Sequence, residues 1–220
     1  KGVYVSFAYD DLVGDGETPH ESFKRIADSE YYCGSVKAND YKAGYEMTKT
    51  MIENGGTKFG YLSMPHGISL SFDNRAKGFY DAIEEYGAVV LAEARTFDKT
   101  EGAQNIITNY PEMDAFACGL NAVINVLQPL AAAGRTDVMV SCFEAGEPET
   151  LEAFEEGTLN GLADGAIAHG LVAFTMLYNG LTGNKIIDEE KGYAITVTYM
   201  DYIIVDTVEE CRQLFDTIYN

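Results

Sequence analysis

The sequence predicts an α/β protein built on a doubly wound parallel sheet. Between residues 40 and 164, short apolar runs alternate with helical segments of roughly ten to fifteen residues, a rhythm that implies right-handed βαβ units. Glycines stop most of those helices: Gly55-Gly56, Gly87, Gly134 and Gly157 each follow the last periodic residue. A content of 46% hydrophobic and 12% aromatic residues supplies a core for such a sheet.

In chain order, Gly2–Phe7 reads as a first strand, Asp10–His20 as a loop of turn formers and Tyr31–Val36 as a second strand. Asn39-Asp40 signals a helix N-terminus, followed by Ala43, Met47 and Met51 at helical spacing. Strand Phe59–Met64 leads to a helix in which Ala76, Phe79, Tyr80 and Ile83 share a face. Strand Val89–Ala94 precedes helix Thr100–Thr108, which Pro111 closes. Strand Ala115–Cys118 precedes the apolar helix Asn121–Ala133, and strand Val138–Phe143 precedes helix Glu149–Glu156. A short strand falls near Leu159–Ala163. Beyond it, Ala166–Leu181 is apolar almost all round and is expected to be buried. Thr182–Lys191 reads as a polar loop, Tyr193–Val205 as a strand region and Glu209–Tyr219 as a terminal helix.

Charge and composition exclude several function classes. Fifteen Lys and Arg against 35 Asp and Glu give a net charge of −20, with the cations scattered, which argues against nucleic acid. No apolar run approaches the ~20 residues of a membrane span. Cys33, Cys118, Cys142 and Cys211 lie far apart without CxxC spacing, so no zinc site is expected. Cys118 and Cys142 sit in apolar strands as small hydrophobes, while Cys33 and Cys211 could pair or stay free.

Catalytic motifs are missing: there is no GxSxG, HExxH or GxxxxGK[ST], and His20, His66 and His169 are dispersed. The chain therefore reads as a non-enzyme without cofactor or metal. The strand ends are more informative, because ligands of parallel α/β sheets bind at that edge. Asp73 and Arg75 follow the strand ending at Met64, with His66 in the intervening loop. Phe97-Asp98 follows the next strand, Asn121 follows Cys118, Glu144 follows Phe143 and Asp164 follows the last. Taken singly, Asn121 and Asp73 are good helix caps. Together they compose a site for a small hydroxylated ligand. Carboxylates and amides accept from hydroxyls, a guanidinium donates in a fixed fork, and an aromatic face stacks on an apolar ring face.

The order and spacing of several short motifs resemble the type I periplasmic solute-binding proteins of sugar ABC importers, the ribose-binding kind. These motifs are Asn39-Asp40-Tyr41-Lys42-Ala43-Gly44, Asn74-Arg75-Ala76-Lys77-Gly78-Phe79, Thr96-Phe97-Asp98, the run Thr136 to Glu144 with Pro148, and Gly157-Thr158-Leu159. The resemblance implies two lobes closing on a solute, with 1–38 and 165–191 as a partial first lobe and 39–164 and 192–220 as a complete second one. Arg75 then matches a ligand-gripping arginine and Phe97 an aromatic that packs on the sugar. Glu144 stands where the family has an aspartate, and Asp164 where it has a glutamine or asparagine. Asn121 stands for an Asn-Asp pair, and Phe7-Ala8-Tyr9 takes the place of an Asp-Arg pair, which puts Phe7 and Tyr9 among the ligand contacts.

Family members carry further strands and helices before the position of Lys1. The reduced first lobe is accordingly expected to expose apolar surface that a homodimer would cover. The implied mechanism is capture by rotation about crossings near 39–40, 164–165 and 192, with delivery to a membrane permease. The implied location is extracytoplasmic, in the periplasm or lipid-anchored on the cell surface. The same fold serves lac-repressor-type regulators as an effector domain, which is the alternative; operator binding would decide for it.

Overall fold

The computed structural model describes residues 2–9, 25–121, 123–144, 148–187, 189, 190, 192, 194 and 196–219. The loop expected over 10–20, His20 with it, lies outside them. The strands in chain order are β1 (Val5–Tyr9), β2 (Tyr32–Ala38), β3 (Lys58–Ser63), β4 (Val89–Arg95), β5 (Ala115–Cys118), β6 (Met139–Phe143), β7 (Gly161–Asp164), β8 (Thr196–Met200) and β9 (Ile203–Val205). The α-helices are α1 (Asp40–Glu53), α2 (Leu70–Tyr86), α3 (Lys99–Asn109), α4 (Gln128–Ala132), α5 (Pro148–Glu155), α6 (Ala166–Leu181) and α7 (Val208–Tyr219). They assemble into two compact units, Lys1–Asn39 with Gly165–Asp201 and Asp40–Asp164 with Tyr202–Asn220.

The second unit holds a six-stranded sheet in the order β4-β3-β5-β6-β7-β9, parallel except for β9, which runs antiparallel to β7. Both faces of this sheet are covered, so its strands alternate between two cores rather than between core and water. Phe59, Tyr61, Ala115 and Ala117 pack with Met51, Ala76, Phe79 and Ile83 of α1 and α2. Leu62, Phe116, Cys118, Val140 and Cys142 pack on the other side with Ile106, Leu130, Phe154 and Phe215. Fully burying one such Phe or Leu side chain contributes about 2–3 kcal/mol. From β3 the chain steps one way to β4 and then back across to β5, so the order reverses between β3 and β5. The carboxyl ends of those two strands are where a crevice opens in such sheets.

Helix α2 begins earlier than the Asp73-Asn74 pair suggests. Ser69 is its N-cap, its hydroxyl accepting from the Ser71 N–H, and Gly87 ends it in the left-handed region at φ 74°. The expected helix over Asn121–Ala133 is a different object: a π-helical stretch, Val123–Leu127, precedes the short α4. Pro129 is the reason, since it cannot donate to the carbonyl four residues back and its ring crowds that carbonyl.

In the first unit, β1, β2 and β8 form a parallel sheet in that order, and α6 packs on β1 and β2. The anticipated strand region Tyr193–Val205 is two strands serving two sheets, β8 pairing with β2 and β9 with β7. The boundary expected at 192 accordingly falls at 201–202, because β8 belongs with the first unit. Helix α6 has the expected bounds but not the expected burial. Ala173 and Met176 face the sheet, His169 is fully buried, and Leu171, Phe174, Tyr178 and Leu181 are exposed.

All four cysteines are free and buried. Burial holds the Cys118 thiol well above 9.0, and burial with the nearby Glu155 charge pushes Cys211 up to about 11. A raised thiol pKa means that the unfolded chain loses protons that the folded chain keeps. This contribution to stability is complete below about pH 9 and is lost as pH rises through about 11. The melting temperature is therefore expected to fall between pH 8.5 and 10.5. Calorimetry of Cys118→Ala in the same buffers should show a shallower fall.

Candidate functional site

The C-terminal edge of the second unit's sheet is organised by a buried arginine. Arg75 lies in the second turn of α2, the helix that follows β3, and is only 3% exposed. Its Nε donates to Asp40 Oδ1 at 2.8 Å and its Nη1 to the Gly119 carbonyl at 3.0 Å. Nη2 donates to the Tyr202 hydroxyl at 2.7 Å and reaches Glu144 Oε1 at 3.4 Å. Tyr202 donates in turn to Asp40 Oδ1 at 2.9 Å. The guanidinium also lies 4.1 Å over the Phe143 ring. Because Gly119 follows β5, the bond from Nη1 spans the reversal point between β3 and β5.

This geometry ties most of the Arg75 guanidinium to partners within the protein. A guanidinium has five N–H groups, and four are engaged within the protein. Although burial opposes its charge, the Tyr202, Asp40 and Glu144 groups hold it above its ordinary pKa. Arg75 is a buried strut with one N–H left rather than an open fork. Sequence periodicity gave no sign of its partners, Asp40 and Tyr202. The latter follows Asp201 at the start of the chain's return to the second unit.

Glu144 is what the strut supports. It is the one described non-glycine residue with positive φ, at 71°. Its N–H donates to the Ala163 carbonyl at 2.9 Å, and its own carbonyl accepts from Asn121 Nδ2 at 3.1 Å. The backbone is thus held from β7 and from the loop after β5, while the side chain remains 45% exposed. A left-handed conformation costs about 1–2 kcal/mol for a residue with a Cβ, and such strain concentrates at ligand clamps. Asn121 therefore helps to position Glu144.

The remaining expected residues divide into separate places. Asp73 accepts from the Gly67 N–H at 2.9 Å and pairs with Arg95 at 3.4 Å and with His66 Nδ1 at 3.3 Å. It is thus committed to a surface cluster at the ends of β3 and β4. Phe97, directly after β4, is 66% exposed. Asp164 closes β7 and is buried. Phe7 belongs to the first unit, half-buried with its ring 6.1 Å from Tyr32, and Tyr9 closes β1 there. The edge can accept hydrogen bonds at Glu144 and offer an apolar face at Phe97. Among the described residues, no group of His, Cys, Asp and Glu could hold a metal ion.

No protein-family model matches the chain, and no curated protein does. Solved structures do. A solute-binding protein of an ABC transporter from Bacillus halodurans, with bound myo-inositol, superposes with TM-score 0.73 at 20% identity, over 96% of this chain and 69% of its own. A periplasmic ribose ABC transporter protein from Conexibacter woesei gives TM-score 0.71 at 18% identity, over 98% and 68%. A periplasmic solute-binding protein from Actinobacillus succinogenes, with bound D-allose, gives 0.66 at 21%, over 88% and 68%. This chain spans from 60% to 69% of the length of such structures. The fold is that of the type I periplasmic solute-binding proteins.

Proposed function

We propose that the chain captures a sugar or similar polyhydroxylated solute and makes or breaks no bond in doing so. The observation that carries this reading is Glu144. Its exposed carboxylate is held on a strained backbone at the sheet's carboxyl edge, supported by Arg75 and Asn121. Phe97 supplies the apolar face that a sugar ring needs. Neighbours of the same fold are solved with D-allose and myo-inositol, which supports a hydroxylated ligand. In this reading the protein works outside the cytoplasm and hands its solute to an ABC permease. No described helix is long and apolar enough to cross a membrane. The regulator alternative draws no support from these neighbours.

The test is a thermal-shift and calorimetric screen of pentoses, hexoses, inositols and amino sugars. A solute that binds only the native state at 100 times its Kd adds about 2.7 kcal/mol of stability. At least one solute should raise the melting temperature saturably, and Glu144→Gly should abolish the rise. Glycine tolerates φ 71° without a Cβ penalty, so that variant should itself melt no lower than the parent. Consumption of the solute, or a shift that survives Glu144→Gly, overturns the assignment.

A further inference from the structure

The chain passes between its two units three times, at Asn39-Asp40, Asp164-Gly165 and Asp201-Tyr202. On the second-unit side each crossing meets a buried polar residue: Asp40 and Asp164 are 4% exposed and Tyr202 is 7%. Burying polar side chains is costly unless they are bonded, and here the bonds converge. The Tyr202 hydroxyl donates to Asp40 Oδ1 at 2.9 Å, and Arg75 donates to both, at 2.8 Å to Asp40 and 2.7 Å to Tyr202. Asp164 ends β7 opposite Ile203, the first residue of β9 and the one after Tyr202. A triangle of side chains and one ladder pairing thus gather all three crossings. The Tyr202 ring is itself fixed edge-on against Phe143, with centroids 5.4 Å apart.

We propose that Arg75, Asp40 and Tyr202 form a clamp that holds the second-unit end of all three crossings rigid. Rotation between the units is then taken up on the other side, at Asn39, Gly165 and Asp201. Each of these lies outside any strand or helix, between β2 and α1, β7 and α6, and β8 and β9 respectively. Hinges are a few residues at element ends that absorb the backbone change, and these three have that placement. Asn39 Nδ2 donates to Asp201 Oδ1 at 3.0 Å, which makes two of the three turn together. Tyr202 is the positioning residue of the clamp. Its hydroxyl both donates and accepts, joining the third crossing to the first, and phenylalanine could do neither. The Nη2 that holds Tyr202 also reaches Glu144 Oε1 at 3.4 Å, which ties the crossings to the carboxylate of the proposed solute site. The clamp itself needs no solute, so a failed solute screen leaves it standing.

Backbone nitrogen relaxation dispersion of the intact chain without solute tests it, since that measurement reads the microsecond-to-millisecond motion of domains. In the parent, exchange broadening is expected at Asn39, Gly165 and Asp201 and not at Asp40, Asp164 or Ile203. Tyr202→Phe keeps the ring against Phe143 and the ion pair of Arg75 with Asp40, so its circular dichroism spectrum should be unchanged. In that variant broadening should spread to Asp40 and Ile203 and rise there at least ~2-fold, while Phe116 and Val140 in the core of the sheet stay as in the parent. A purely structural role for the hydroxyl would lower the melting temperature without this localised broadening. The proposal is overturned by a parent that broadens on both sides of the crossings or at none of the six residues. It is overturned equally by a Tyr202→Phe variant in which Asp40 and Ile203 stay as rigid as before, or in which Phe116 and Val140 loosen as much as they do.

Discussion

Replacing Arg75 by Met is expected to lower stability by about 3–5 kcal/mol, because it strands the Asp40 carboxylate in a buried site. Asp40 accepts from Arg75 Nε at 2.8 Å and from Tyr202 at 2.9 Å, and its side chain is only 5% exposed. Removing the cation leaves the carboxylate with one neutral donor and leaves the Gly119 carbonyl without its 3.0 Å partner. For a chain of this length that corresponds to a fall of roughly 10 °C in melting temperature. The consequence departs from what the motif alone suggests, namely lost binding with the fold unharmed. The double variant Arg75→Met, Asp40→Asn removes both charges and should recover at least half of the loss, since an uncompensated charge dominates the cost. Urea denaturation of the two variants decides the matter. A single variant within 1 kcal/mol of the parent would show that the ion pair is not buried as described.

Local pattern carried the fold further than the site. Strand β5 and helix α6 have the bounds read from the sequence, because apolar runs and their stops are local signals. Pro129 was an equally local signal, and it turns the start of the expected fourth crossover helix into a π-helical stretch. What composition could not show is which side of a wholly apolar helix meets the sheet. Ala173 and Met176 do so, while Phe174 and Tyr178 do not. The site suffered more, because its connections are distant in sequence. Arg75 is joined to Tyr202 across 127 positions and to Glu144 across 69. Strand-end reasoning placed Arg75, Asn121 and Glu144 at one edge, where they are found. It could not tell that most of the arginine's donors are engaged within the protein, or that the Glu144 carboxylate stays 45% exposed.

The position of the strut depends on two glycines, and their replacement should have the second large effect. Helices α1 and α2 lie so close that a Cβ on Gly44 would overlap the Arg75 carbonyl oxygen, and one on Gly78 would overlap that of Tyr41. A Cβ on Gly78 would also sit 2.7 Å from the Tyr45 nitrogen. These obstacles are backbone atoms inside helices, which cannot swing aside as a side chain would. Alanine ordinarily favours a helix over glycine by about 0.8–1.0 kcal/mol. Overpacking here should outweigh that gain and leave Gly78→Ala about 2–3 kcal/mol less stable, seen as a lower urea midpoint at unchanged slope. Gly44→Ala should weaken solute binding as well, because the atom it displaces belongs to Arg75 itself. Gly170 in α6 is the matched control: it is exposed and no atom lies within 4 Å of the added Cβ. Gly170→Ala should therefore stabilise by about 0.5–1 kcal/mol. If Gly78→Ala and Gly170→Ala shift the midpoint in the same direction, the close approach of α1 and α2 does not hold Asp40 against Arg75. The two substitutions add the same methyl group to two helices, and opposite signs would isolate the backbone contact as the cause.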